Sequence, residues 1–169
     1  MKKKLILICL FLVIPIKAFS LIEVDITRGN LNPLPLAVSP LSIDENSKKN
    51  FEKILKKKNI GSEIAIVVEN NLKASGLFNP LNKDAFLQAP DIANLKPRFE
   101  DWNLIKAQAL ITGKVNFVDE KIRVEFRLWD VLAGKEMMAL AFTTVPNNWR
   151  RVGHIISDKV YERLTGEKG

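Results

Sequence analysis

The stretch from Ala109 to Val145 restricts the possible folds more than any other part of the chain. Within Lys121 to Val131, Ile122, Val124, Phe126 and Leu128 alternate with Arg123, Glu125 and Arg127. That period of two belongs to a strand with one buried and one wetter face. Asp119-Glu120 precedes this run and Ala133-Gly134 follows it, and both pairs are turn signals. Ala109–Val118 and Lys135–Val145 therefore read as the flanking strands of a three-stranded antiparallel meander, which Pro146 terminates.

Helical periodicity brackets the meander. The spacing predicts a helix over Asp44 to Lys58 with Phe51, Ile54 and Leu55 on one face, its acids early and its lysines late, as the helix dipole favours. A second helix over Gly61 to Ser75 carries the stripe Ile60, Ile64, Val67, Val68 and Leu72, and Gly76 stops it. Phe99, Trp102 and Ile105 place a helix between Pro97 and Gln108, and Phe78 to Leu81 is a short strand. A last helix from Asn148 to Leu164 buries Trp149, Val152, Ile156, Val160 and Leu164 and ends at Gly166. Leu34 to Leu41 is apolar, but Pro33, Pro35 and Pro40 confine it to an edge or short strand. The expected fold is α/β: a mixed sheet with a C-terminal antiparallel meander, packed by helices in layers.

The first twenty residues read as an address. Lys2, Lys3 and Lys4 precede the apolar run Leu5 to Ile14, and Ala18-Phe19-Ser20 puts small residues at −3 and −1. This is the pattern of a secretory signal peptide, too short to span a membrane, with Leu21 as the expected mature N-terminus and no stable membrane insertion after cleavage. The chain has 26 Lys+Arg against 19 Asp+Glu; the signal holds four lysines and no acid, leaving 22 against 19. Six lysines (48, 49, 53, 56, 57 and 58) crowd together with Glu52 as the single acid among them. Without interleaved aromatics or a nucleic-acid motif, such a run is a solvated helix face, and no nucleic-acid partner is expected. Cys9 is the only cysteine and lies in the signal, so the mature part has no disulfide, thiol nucleophile or thiolate metal site.

The search for chemistry yields little. His154 is the only histidine, and one histidine without cysteines cannot complete a zinc site; it reads as a capped or partly buried helical residue. Gly113-Lys114 lacks the upstream glycine and following hydroxyl of a phosphate loop. Asp119-Glu120 are ordinary turn acids, and Trp102, Trp129 and Trp149 fit the core. A hydrolase would need two close carboxylates in a pocket, with Asp101 and Asp130 as the candidates. A cleft between sheet and helices that binds a small molecule or envelope component is a further alternative. No metal and no cofactor are expected.

The start of the mature chain stands apart. Ile22, Val24 and Ile26 alternate with Glu23, Asp25 and Thr27 ahead of Gly29-Asn30. Such a strand either joins its own sheet or pairs through its backbone with the edge of another protein's sheet.

Four segments carry a family resemblance: Leu72 to Phe78 (Leu-Lys-Ala-Ser-Gly-Leu-Phe), Leu110 to Val115 (Leu-Ile-Thr-Gly-Lys-Val), Phe126 to Asp130 (Phe-Arg-Leu-Trp-Asp), and Asn148 to Gly166. In this order and spacing the chain resembles the N-terminal domain of the TolB family of the Tol-Pal envelope system. The resemblance is strongest from Ser75 onward and weakest over Ser42 to Asn59. It implies a periplasmic, non-enzymatic protein that works by binding others. It further implies a TolA-binding mature N-terminus, here Leu21, Ile22, Glu23, Val24, Asp25, Ile26, Thr27 and Arg28. Roles in outer-membrane integrity, envelope constriction at division and bacteriocin import follow from the same likeness. Members continue into a β-propeller that binds the lipoprotein Pal. This chain ends at Thr165-Gly166-Glu167-Lys168-Gly169 with no repeat of ~40 residues, so Pal binding is not expected of these residues. The expected organisation is a signal over 1–20, an arm over 21–32 and the α/β domain over 33–169.

Overall fold

The structure is a computed structural model that describes residue 22 and residues 32–57 and 59–168. The signal-like run, residues 21 and 23–31 of the expected arm, Lys58 and Gly169 lie outside the described residues.

Five strands form one sheet in the order β2-β1-β3-β4-β5. They are β1 (Leu34–Val38), β2 (Phe78–Pro80), β3 (Ala109–Val118), β4 (Lys121–Asp130) and β5 (Lys135–Thr144). β1 is parallel to both β2 and β3, whereas β3, β4 and β5 make the antiparallel meander. The chain passes from β1 to β2 through α1 (Glu45–Leu55) and α2 (Ile60–Ala74), and from β2 to β3 through the short α3 (Pro90–Leu95) and α4 (Phe99–Leu104). The final helix is α5 (Trp149–Thr165).

The two faces of the sheet are covered unequally. Phe51 of α1, the α2 stripe Ile60, Ile64, Val67, Val68 and Leu72, and the α5 stripe Trp149, Val152, Ile156, Val160 and Leu164 share a core with Ile122, Val124, Phe126 and Leu128. Each such side chain contributes about 1.5–3 kcal/mol on full burial. A smaller cluster on the opposite face joins Ala37, Trp102, Ala107, Leu110 and Val131. Both helical stripes and the alternating meander are as the sequence predicts. Ile54 departs from its predicted face and is 46% exposed, because α1 is short and touches the sheet mainly through Phe51.

Three local devices fix the architecture. Asp44 caps α1: its Oδ1 accepts from the Ser47 amide at 2.8 Å and its Oδ2 from the Ser47 hydroxyl at 2.6 Å. The buried Ser47 Oγ then accepts from the Phe117 amide at 2.8 Å, tying the start of the helix to β3. At the β3–β4 turn, Asp119 (φ 47°) and Glu120 (φ 58°) are both left-handed, as a two-residue hairpin of matching twist requires. Close approaches do the rest. A Cβ at Gly61 would lie 2.1 Å from the Leu41 carbonyl oxygen, and one at Gly153 would lie 2.8 Å from Val67 Cγ1 across the α2–α5 contact.

Of the two alternatives for the proline-flanked stretch, the short strand is found: β1 has five residues and is internal, not an edge. Neighbouring residues of a parallel strand direct their backbone groups to opposite sides. The Leu34 amide donates to Leu77 O on the β2 side, and the Pro35 carbonyl accepts from Gln108 on the β3 side. Proline's missing N–H thus faces β3 where that strand is only beginning, so no ladder bond is lost. The helix predicted between Pro97 and Gln108 is only Phe99–Leu104, since Lys106 turns left-handed (φ 64°) and leads the chain toward β3.

Gly61→Ala is expected to destabilise more than Gly153→Ala in urea titrations. The first clash is with backbone, whereas Val67 can shift within the overpacking cost of about 1–3 kcal/mol. Asp44 should show in the acid limb. The bond from the Ser47 hydroxyl, then that from its amide, holds the Asp44 carboxyl below its ordinary value of 3.8. Its contribution is therefore complete above that value and is lost as pH falls through the lower folded one. Asp44→Ala should cost about 0.5–2 kcal/mol at neutral pH, with the difference from the parent shrinking under acid.

Candidate interaction site

Of the expected arm over 21–32, Ile22 and Asn32 are described, and the Asp130 side chain holds Ile22. Asp130 closes β4 and is 1% exposed. Its Oδ1 accepts from the Ala133 amide at 2.8 Å, shaping the β4–β5 turn, and its Oδ2 accepts from the Ile22 amide at 3.3 Å. A buried polar side chain is costly unless hydrogen-bonded, and here two backbone N–H groups serve its oxygens. The Ile22 side chain is partly buried against the larger core, and Ile22 itself belongs to none of the five strands. Asp130 was legible in the sequence only as a scattered acid; its place immediately before a turn was the available signal.

The remaining candidates are occupied by structural work. Asp101 pairs with Arg98 within the first turns of α4, at 2.6 Å to Nη2 and 2.8 Å to Nε. It shares no bonded partner with Asp130. His154 is exposed on α5, not partly buried, because α5 turns it outward between buried Gly153 and half-buried Ile155. Its Nδ1 lies 2.8 Å from Asn71 Nδ2, which also donates to Ser157 Oγ at 2.8 Å. Ser157 in turn donates to Gly153 O, completing a polar seam between α2 and α5.

Gly113 sits mid-strand, where a Cβ would lie 2.4 Å from Glu125 O. Lys114 pairs with Glu125 at 3.4 Å. Glu125 is held below the usual carboxylate range by the bond from Arg123 first and by Lys114 second. Asp119 and Glu120 form the hairpin turn, as expected. Trp102 is buried with its Nε1 donating to Gln88 Oε1 at 2.7 Å. Trp149 is 8% exposed, whereas Trp129 is half-buried and donates to the buried Thr112 Oγ1 at 2.9 Å.

The lysine run is partly engaged. Lys48 pairs with Glu45, and Lys57 pairs with Glu63 while lying 5.2 Å from the centre of the Trp149 ring. Among the described residues no group of three or more His, Cys, Asp or Glu is placed to hold a metal ion, and no helix is long and apolar enough to cross a membrane.

These features define an α/β domain in which the side chains bearing chemistry are spent on caps, turns and helix contacts. Residues 22–137 match the family described as the TolB amino-terminal domain. The chain is 84% identical over 163 residues to the Tol-Pal system protein TolB of Pelagibacter ubique (strain HTCC1062). That alignment covers 96% of this chain and 36% of the relative, so the chain spans about a third of its length. The crystal structure of TolB from Acinetobacter baumannii superimposes with a TM-score of 0.62 at 21% identity, covering 82% of this chain and 30% of that one, which establishes the shared fold. The chain belongs to the TolB amino-terminal domain family.

The Asp130 contact predicts a specific response. Asp130→Asn retains one acceptor for Ala133 but turns an NH2 toward the Ile22 amide, and should cost about 1–3 kcal/mol in urea titrations. Removing residues 1–22 as well should abolish that part of the loss due to Ile22, a coupling read from the double-mutant cycle.

Proposed function

We propose that this chain is the partner-binding N-terminal part of a Tol-Pal component acting in the periplasm once residues 1–20 are removed. The segment Leu21–Arg28 adds as a strand to the periplasmic domain of TolA. Main-chain hydrogen bonds provide affinity, and the alternating side chains of Ile22, Val24 and Ile26 against Glu23, Asp25 and Thr27 provide register. No bond-making step and no cofactor are required. Pal is a partner only of a propeller outside these residues. Outer-membrane integrity, envelope constriction at division and bacteriocin import are the processes such a contact would serve.

The observation that carries this reading is the Ile22 tether. Asp130 fixes the first part of the arm by its backbone amide, at an end of a sheet whose five strands pair without it. A tethered segment is presented to a partner at lower entropic cost than a free tail.

The double substitution Val24→Asp and Ile26→Asp leaves Ile22 and Asp130 in place. It should weaken binding to the TolA periplasmic domain by about tenfold or more in calorimetry, since each apolar side chain loses about 1.5 kcal/mol or more of burial. The urea midpoint should stay unchanged. Undiminished TolA affinity in a folded variant would sink the assignment.

A further inference from the structure

The two borders of the sheet are protected very differently. β2 is three residues long and ends in Pro80, which suits a blunted edge. β5 runs ten residues from Lys135 to Thr144, and from Met137 onward it has neither charge nor proline. The turn Asp119-Glu120 makes Val118 and Lys121 a hydrogen-bonded pair, and such pairs alternate along an antiparallel ladder. Ile122, Val124, Phe126 and Leu128 therefore bond to their β5 partners Thr144, Phe142, Leu140 and Met138. The N–H and C=O groups of Ala139, Ala141 and Thr143 point away from the sheet. All three of these residues are exposed, and Leu140 is 37% exposed. The Met137 carbonyl marks one end of the open row, accepting from Arg163 Nε at 3.4 Å.

A groove of about 360 Å³ follows the far half of this edge, lined by residues including Phe142, Thr144, Arg151, Val152 and Ile155. Phe142, Val152 and Ile155 give it apolar surface beside Thr143, Thr144 and Asn148, and its charged lining residue is the exposed Arg151. Arg123 and Arg127 stand on the outer face of β4, one strand in. The acids near the edge are already engaged: Glu125 with Arg123 and Lys114, Glu136 with Arg127, and Glu162 with Lys159.

We propose that β5 accepts an extended segment of another protein as a sixth strand. The segment is apolar at the alternate positions that enter the Phe142–Ile155 groove and carries an acid where it passes the exposed Arg151. Three outward-facing residues offer up to six main-chain bonds, and small side chains at Ala139 and Ala141 let the incoming backbone approach. The proposal uses none of residues 21–28, so its failure leaves the TolA contact standing, and the reverse.

The test adds a short capped peptide alternating valine with glutamate to the isotope-labelled full chain. New exchange protection is expected at the amides of Ala139, Ala141 and Thr143. Ala141→Pro removes an outward amide that no β4 residue uses, and should weaken the peptide by about three- to tenfold, the worth of one main-chain bond. Arg151→Glu should weaken it by roughly threefold or more while leaving the fold intact, which guards against a misfolded proline variant. Unchanged exchange along β5 with saturating peptide overturns the proposal. Equal binding of a valine–lysine peptide overturns the acidic match. Protection of the same three amides by self-association without peptide overturns the foreign partner in favour of a second copy of the chain.

Discussion

Leu41 is the point on which the two halves of the sheet turn. Its amide donates to Gly61 O at 3.3 Å at the start of α2, and its carbonyl leaves no room there for a Cβ. Its side chain presses toward Gly113 in β3, where a Cβ would stand 3.2 Å from Leu41 Cγ. Immediately beyond, Ser42 accepts from the Val115 amide and donates to Gly113 O, extending the parallel pairing past the end of β1. A parallel half built from crossovers and an antiparallel half built from hairpins are thus clamped through two glycines. Packing at interior density allows few alternatives at such a junction.

From that junction the chemistry of the chain follows. Charged and polar side chains are used to finish backbone structure: Asp44 and Ser47 join α1 to β3, Asp130 serves the β4–β5 turn and Ile22, and Asn71 with Ser157 spans α2 and α5. Groups committed in this way hold rigid positions. The two proposed contacts draw instead on main chain, at the segment that begins beside Ile22 and along β5.

Much of this was legible in the residues because the periods were long. α2 and α5 each repeat their apolar stripe over four turns, and β4 alternates without fault, so local pattern and tertiary burial agree. β1 was legible as a short strand but not as an internal one, because a rule about prolines in sheets takes no account of which side the missing donor faces. α4 was legible from Phe99 and Trp102 but not in its length, and the six-residue α3 is too short to establish a period, although Pro90-Asp91 was a usable start signal. The tether of Ile22 could not be read at all, since it joins residues 108 positions apart through one carboxylate oxygen. The open border of β5 was half visible: its lack of charge is in the sequence, but only the strand order makes it terminal.

The three indoles divide the molecule into separately observable districts. Trp102 is sealed beneath α4 with its nitrogen on an amide oxygen, and Trp129 lies half-wet on the outer sheet beside the Phe99 ring. Trp149 stands at the head of α5, with the cations of Lys57 and Arg150 each within reach of its ring. Their emission colours and quenching should therefore differ, giving an optical record in which either layer could loosen without the other.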